Sequence, residues 1–135
     1  MTLAELRDWL RTLDVAENYS IGRIDGMAEK SLGVFARRGR GRPVMAIGGR
    51  DCSSYGVKPV SLLLHWNQNA RETEEAVLKL WTALEETKHA DLPGGGHIQC
   101  VRMTVPAPVS VGTDKGGVYE YVVECEIYYR RQNAG

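Results

Sequence analysis

The sequence predicts an α+β fold, a mostly antiparallel sheet with one long helix packed across it and an N-terminal helix beside it. Three observations predict this. Residues 60–66 (VSLLLHW) and 118–131 (VYEYVVECEIYYRR) alternate with the period of two that marks strands. Residues 70–88 repeat Val77, Leu80, Trp81 and Leu84 at i, i+3, i+4 and i+7, one stripe of a helix. Residues 1–13 carry a second stripe of Leu3, Leu6, Leu10 and Leu13, with Trp9 on its flank.

In chain order, Thr2 and Glu5 make a capping box for the first helix, and Met1 can staple onto Leu6. Its stripe is expected to dock on the chain's own core, or alternatively on a neighbouring subunit. Residues 19–24 read as a short strand and Asp25-Gly26 as a turn. Residues 32–36 (LGVFA) and 43–47 (PVMAI) then read as the arms of a hairpin. At its tip lie Arg37, Arg38, Arg40 and Arg42, the densest charge in the chain. Residues 48–58 (GGRDCSSYGVK) read as loop.

Val60, Leu62, Leu64 and Trp66 share one face of the next strand, and Ser61, Leu63, His65 and Asn67 the other. Leu63 spoils the polar face, which predicts a central strand covered on both sides. Asn69 is placed to cap the long helix, with Glu72 at its third position in a variant capping box. Glu72, Glu74 and Glu75 favour the positive end of the helix dipole, while Lys88 and His89 close the other end. Residues 70–88 would form a rod of about 28 Å, with Trp81 in the core against Leu62 and Leu64. The run ADLPGGG ends the helix.

Residues 97–105 form the next strand, with Val101, Met103 and Val105 opposite Cys100, Arg102 and Thr104. Residues 106–117 (PAPVSVGTDKGG) read as a projecting loop that orders on assembly, with Val111, Gly112, Asp114 and Lys115 as its contact residues. The last strand is antiparallel to residues 97–105. It turns Tyr119, Tyr121, Val123, Cys125, Ile127 and Tyr129 inward and Glu120, Glu124, Glu126, Tyr128 and Arg130 outward.

The bulk numbers exclude several classes. The 135 residues suit a single domain, and 43% hydrophobic and 25% charged residues are ordinary for a folded soluble protein. Seventeen basic and seventeen acidic side chains cancel, so affinity for nucleic acid must come from a local patch. Three cysteines without CxxC spacing argue for free thiols in a reducing cytoplasm. No apolar run predicts a signal peptide or membrane span.

Catalytic signals are weak. Asp51, Cys52, Ser53 and Ser54 suggest chemistry, but the nearest histidine, His65, points away from the Trp66 face and no activating base is evident. Gly48-Gly49 is too short for a phosphate loop. His89, His97 and Cys100 match no standard zinc spacing and lack a fourth ligand. Cys125 reads as a small core residue. No enzyme activity, cofactor or metal is expected.

Two stretches together resemble a known family. Ile47-Gly48-Gly49, the loop with Tyr55, and SLLLHWNQNARETEEAV look like the middle of phage minor capsid proteins related to tail terminators. Gly112-Thr113-Asp114-Lys115-Gly116-Gly117-Val118-Tyr119-Glu120-Tyr121 and the strand after it look like their C-terminal part. The resemblance covers roughly residues 19–129 and implies a structural protein of the virion, made in the host bacterial cytoplasm. It implies a homo-oligomeric ring, with a hexamer as candidate, at the head–tail junction, touching tail tube and head-connector proteins. No catalytic residue carries over. The arginine tip and the Trp9 helix match nothing in that family. In a ring the arginines either contact DNA phosphates non-specifically or pair with Glu120, Glu124 and Glu126 of a neighbour, the favoured reading. The alternatives are a small nucleic-acid-binding domain using Arg37, Arg38, Arg40 and Arg42, or an enzyme around Cys52 and His65.

Overall fold

A computed structural model describes residues 1–24, 26–37 and 55–130, with Tyr55 described by its backbone. The expected strand at 43–47, Arg38, Arg40 and Arg42, and the loop residues through Ser54, including Cys52, lie outside the described residues. So does Asp25 of the expected turn. The elements are α1 (Leu3–Thr12), β1 (Asn18–Ile21), β2 (Ser31–Ala36), β3 (Tyr55–His65), α2 (Ala70–Glu85), β4 (Lys88–Asp91), β5 (His97–Met103), β6 (Val109–Thr113) and β7 (Tyr119–Arg130).

The strands form one seven-stranded mixed sheet in the order β1-β2-β3-β7-β5-β4, with β6 also paired to β7. Five pairings are antiparallel and one, β1 with β2, is parallel. The fold is therefore α+β as expected, with a parallel edge that the sequence pattern does not signal. β7 is the spine. One edge pairs with β3 from Tyr55↔Arg130 to His65↔Glu120. Along its other edge β5 occupies the C-terminal half and β6 the N-terminal half, end to end.

The register puts Leu32, Leu64 and Tyr121 on one face, followed by Val34, Leu62 and Val123, then Ala36, Val60 and Cys125. This face carries the core, completed by Leu6, Trp9 and Leu10 of α1 and Val77, Leu80 and Leu84 of α2. Helix α1 starts in the expected capping box between Thr2 and Glu5 and docks on its own sheet. Trp9 is 3% exposed, a core residue rather than a flank. On the other face Leu63 is half-buried opposite Gly33. A Cβ at Gly33 would lie 2.8 Å from Ile24 Cδ1 and 2.9 Å from Phe35 Cε2, so glycine lets these side chains close over the strand.

Four expectations need correction. First, β3 begins at Tyr55, because the long β7 offers Ile127–Arg130 as partners for residues 55–58, which were read as loop. Pro59 is tolerated in this central strand. Its carbonyl accepts Arg37 N–H at 3.2 Å beyond the last β2 pair, so its missing N–H faces that same frayed edge. Second, α2 ends at Glu85 rather than Lys88. Lys88 and His89 enter β4 together with Ala90 and Asp91, β4 pairs with β5, and only LPGGG forms the turn between them, closed by Leu92 N–H to Gly96 O at 2.8 Å.

Third, Trp81 is half-buried, not a core residue. The buried stripe is Thr73, Ala76, Val77, Leu80 and Leu84, which leaves Trp81 at its margin with its indole N–H on Glu85 Oε2 at 3.2 Å. Asn69 caps α2 as expected, accepting Glu72 N–H at 3.0 Å, but the Glu72 carboxylate takes Asn67 Nδ2 at 2.7 Å instead of closing the box. Fourth, Val111 and Gly112 do not lie in a projecting loop. They belong to β6, a strand laid on β7 with a bulge between Ser110 and Gly112.

Candidate functional site

His65 ends β3 and is 1% exposed. Its Nδ1 lies 3.1 Å from Oε2 of Glu120, its cross-strand partner on β7. Its Nε2 faces Asp114 Oδ2 at 3.7 Å and makes no hydrogen bond. One buried imidazole thus stands between two carboxylates that arrive from different places in the chain.

Asp114 builds the turn from β6 to β7. Its Oδ1 accepts the amide N–H groups of Gly116 and Val118, each at 2.9 Å, and its backbone carbonyl accepts Gly117 N–H at 3.1 Å. Gly117 has φ of 82°, a left-handed conformation that glycine adopts without strain. The Val118 amide holds the Asp114 carboxyl below its ordinary range; burial opposes this, and the Gly116 amide and His65 reinforce it. Gln68 Nε2 donates to Gly116 O at 2.7 Å, and Trp66 N–H to Tyr119 O at 3.1 Å. The turn is therefore tied to the end of β3 and, through Asn67 and Asn69, to the start of α2.

The turn presents β6, exposed at every position. Val109 is 46% and Val111 50% exposed, and among the described residues the outer edge of β6 has no strand partner. Beside it Leu78, Val77, Glu74, Pro108 and Tyr121 line a shallow groove of about 280 Å³. An unpaired edge strand carrying two exposed valines is a template for pairing with another chain. Lys115, at the tip of the turn, is exposed.

The three acids proposed as a neighbour's targets are engaged within the chain. Glu120 holds His65, Glu124 holds Arg37 Nε at 3.1 Å, and Glu126 holds Arg102 Nη1 at 3.5 Å. Arg37 Nη2 donates to Thr104 Oγ1 at 3.3 Å, while Nε pairs with Glu124 by charge and makes no hydrogen bond. The structure thus brings Arg37 and Glu124 together on one outer face, charge against charge. Arg37 is oriented by these contacts rather than projecting freely.

Among the described residues, no group of three or more His, Cys, Asp or Glu side chains is placed to hold a metal ion. His89 and His97 do stand together, without Cys100. Nor is any helix among them long and apolar enough to cross a membrane. Burial pushes the Cys125 thiol up to about 12, Arg37 lowering it and Glu126 raising it. Cys125 should therefore resist iodoacetamide at pH 8 in the folded protein, while half-buried Cys100 is alkylated faster. Peptide mapping by mass spectrometry checks this; equal rates at both would show that the core opens readily.

The sequence pattern gave the correct parity for His65, but its partner Glu120 lies 55 residues away, beyond any local signal. The signal that could have found the site is Asp114 with Gly116 and Gly117 two and three residues on, a spacing at which aspartate caps the backbone amides of a turn.

A scan against protein-family models finds no match to this chain, and a search of curated proteins finds no relative.

Proposed function

We propose that the chain is a structural virion protein of a tailed phage or prophage, a tail terminator or minor capsid protein at the head–tail junction. It assembles as a ring and contacts tail tube and head-connector proteins. One observation carries the reading. The stretch that resembles the C-terminal part of that family, Gly112 to Tyr121, holds the turn that faces His65 and joins β6 to β7, and the outer edge of β6 is open among the described residues and carries the exposed Val109 and Val111. A heterologous contact from this edge to a different edge of the next subunit closes into a ring when the rotation permits. His65, with a carboxylate on each side, has a structural role in this reading. Non-specific contact with DNA in the lumen falls to Arg38, Arg40 and Arg42, since Arg37 is neutralised by Glu124.

The edge is tested by replacing Val109 and Val111 together with lysine, the residue that blocks exposed strand edges in natural proteins. The double variant should fold with unchanged circular dichroism and fail to complete tails in a complementation assay. A variant that completes tails as well as the parent rules out β6 as the assembly edge.

A further inference from the structure

β4 and β5 form a hairpin with Lys88 opposite Cys100, Ala90 opposite Ile98 and Asp91 opposite His97. His89 falls between two paired positions and has φ of 55°. The β4–β5 register runs through His89 without a shift, so its left-handed backbone is the local irregularity, and such backbone concentrates at functional sites. Here the side chain lies over His97, with ring centroids 5.7 Å apart and planes inclined by 30°. His89 Nδ1 and His97 Nε2 are 3.5 Å apart. That is long for a hydrogen bond from a ring N–H, which prefers about 2.9–3.0 Å. It is close to the roughly 3.4 Å spanned by two zinc–nitrogen bonds of about 2.0–2.1 Å at a tetrahedral angle.

The remaining nitrogen of His97 has a partner. Nδ1 lies 2.9 Å from Asp91 Oδ1. A carboxylate there holds the proton on Nδ1 and leaves the lone pair on Nε2, directed towards His89. This is the arrangement that orients metal-binding histidines in zinc proteins. We propose that His89 and His97 form a two-nitrogen chelate for Zn²⁺, with Asp91 as the positioning residue and water on the remaining coordination positions. Imidazole pairs suit zinc and its neighbours in the first transition row and reject Mg²⁺ and Ca²⁺, which demand oxygen. Arg130, the exposed cross-strand neighbour of His97, carries a like charge that lowers the affinity for a bound cation.

The test is calorimetric titration of the intact protein with ZnCl₂, with MgCl₂ as control, alongside NMR of the histidine side chains. The chain has three histidines, so buried His65 serves as an internal reference. One Zn²⁺ should bind per chain, shifting the ring signals of His89 and His97 and leaving those of His65 in place. His89→Gln and His97→Gln should each weaken binding by more than about tenfold, and Asp91→Asn by about tenfold. Cys100→Ser should leave it unchanged. Absence of zinc binding, or an affinity in both glutamine variants equal to that of the parent, overturns the proposal. So does a shift of His65 alone, and this readout on the parent protein holds even if a variant fails to fold.

Discussion

Leu80→Ala is expected to lower the unfolding free energy by about 2–5 kcal/mol, the range for truncating a fully buried leucine. Leu80 is 0% exposed and lies at the centre of the α2 stripe, with Val77 and Leu84 in the same buried cluster. Removing its isobutyl group opens a cavity between α2 and the paired strands β5 and β7 that it packs on, and a hydrogen-bonded ladder cannot collapse to refill the space. Trp81→Ala removes a larger side chain yet should cost less, because Trp81 is half-buried and one end of its indole is spent on Glu85. Urea unfolding of the two variants decides the point. A greater loss for Trp81→Ala would mean that α2 is rotated towards the stripe that the sequence alone suggests.

His65→Ala should have the second large effect. It strips Glu120 of its partner, at about 1–3 kcal/mol, and leaves a cavity at a site that is 1% exposed. The loss should be felt locally as well. Amide exchange at Gly116 and Val118 should accelerate as the turn loses the imidazole facing Asp114. Exchange rates at these two amides equal to those of the parent would show that Asp114 holds the turn without His65.

Asp114 adds a pH dependence whose sign is fixed. Its folded-state pKa is below the ordinary 3.8, so its carboxylate stabilises the fold above that value. The contribution fades as pH falls through the lowered folded pKa. Asp114→Asn should be less stable than the parent near pH 7 and should lose less on acidification below about pH 4. Parallel stability curves for the two proteins from pH 7 to pH 2 would show that the amides of Gly116 and Val118 bind the neutral side chain equally well.

Much of the frame was legible because its signals are local. Thr2 with Glu5 and Asn69 before Ala70 cap their own helices, and β3 and β7 announce themselves by alternation. The elements that escaped are those whose reason lies elsewhere in the chain. β4 and β6 are short, exposed strands that exist because β5 and β7 offer free edges, and nothing in KHAD or VSVGT encodes that offer. The β1–β2 pairing is parallel because the chain recrosses between Gly22 and Lys30, and strand periodicity is blind to direction. Trp81 was misplaced because a stripe read at i, i+3, i+4 and i+7 leaves the helix free to roll by a residue, and Thr73 and Ala76, both small, define the true buried side. For the site, Asp114 and its glycines were visible only as part of a glycine- and proline-rich loop. The carboxylate pair around His65 was not, since only the β3–β7 register brings Glu120 alongside it.

The account stands on assembly through the β6 edge, and the mass of the purified protein in solution tests it most directly, with negative-stain images of the same sample. A discrete multiple of the 15.0 kDa chain is expected, appearing as rings with a central opening. A monomer at every concentration, in a sample shown to be folded, would contradict it.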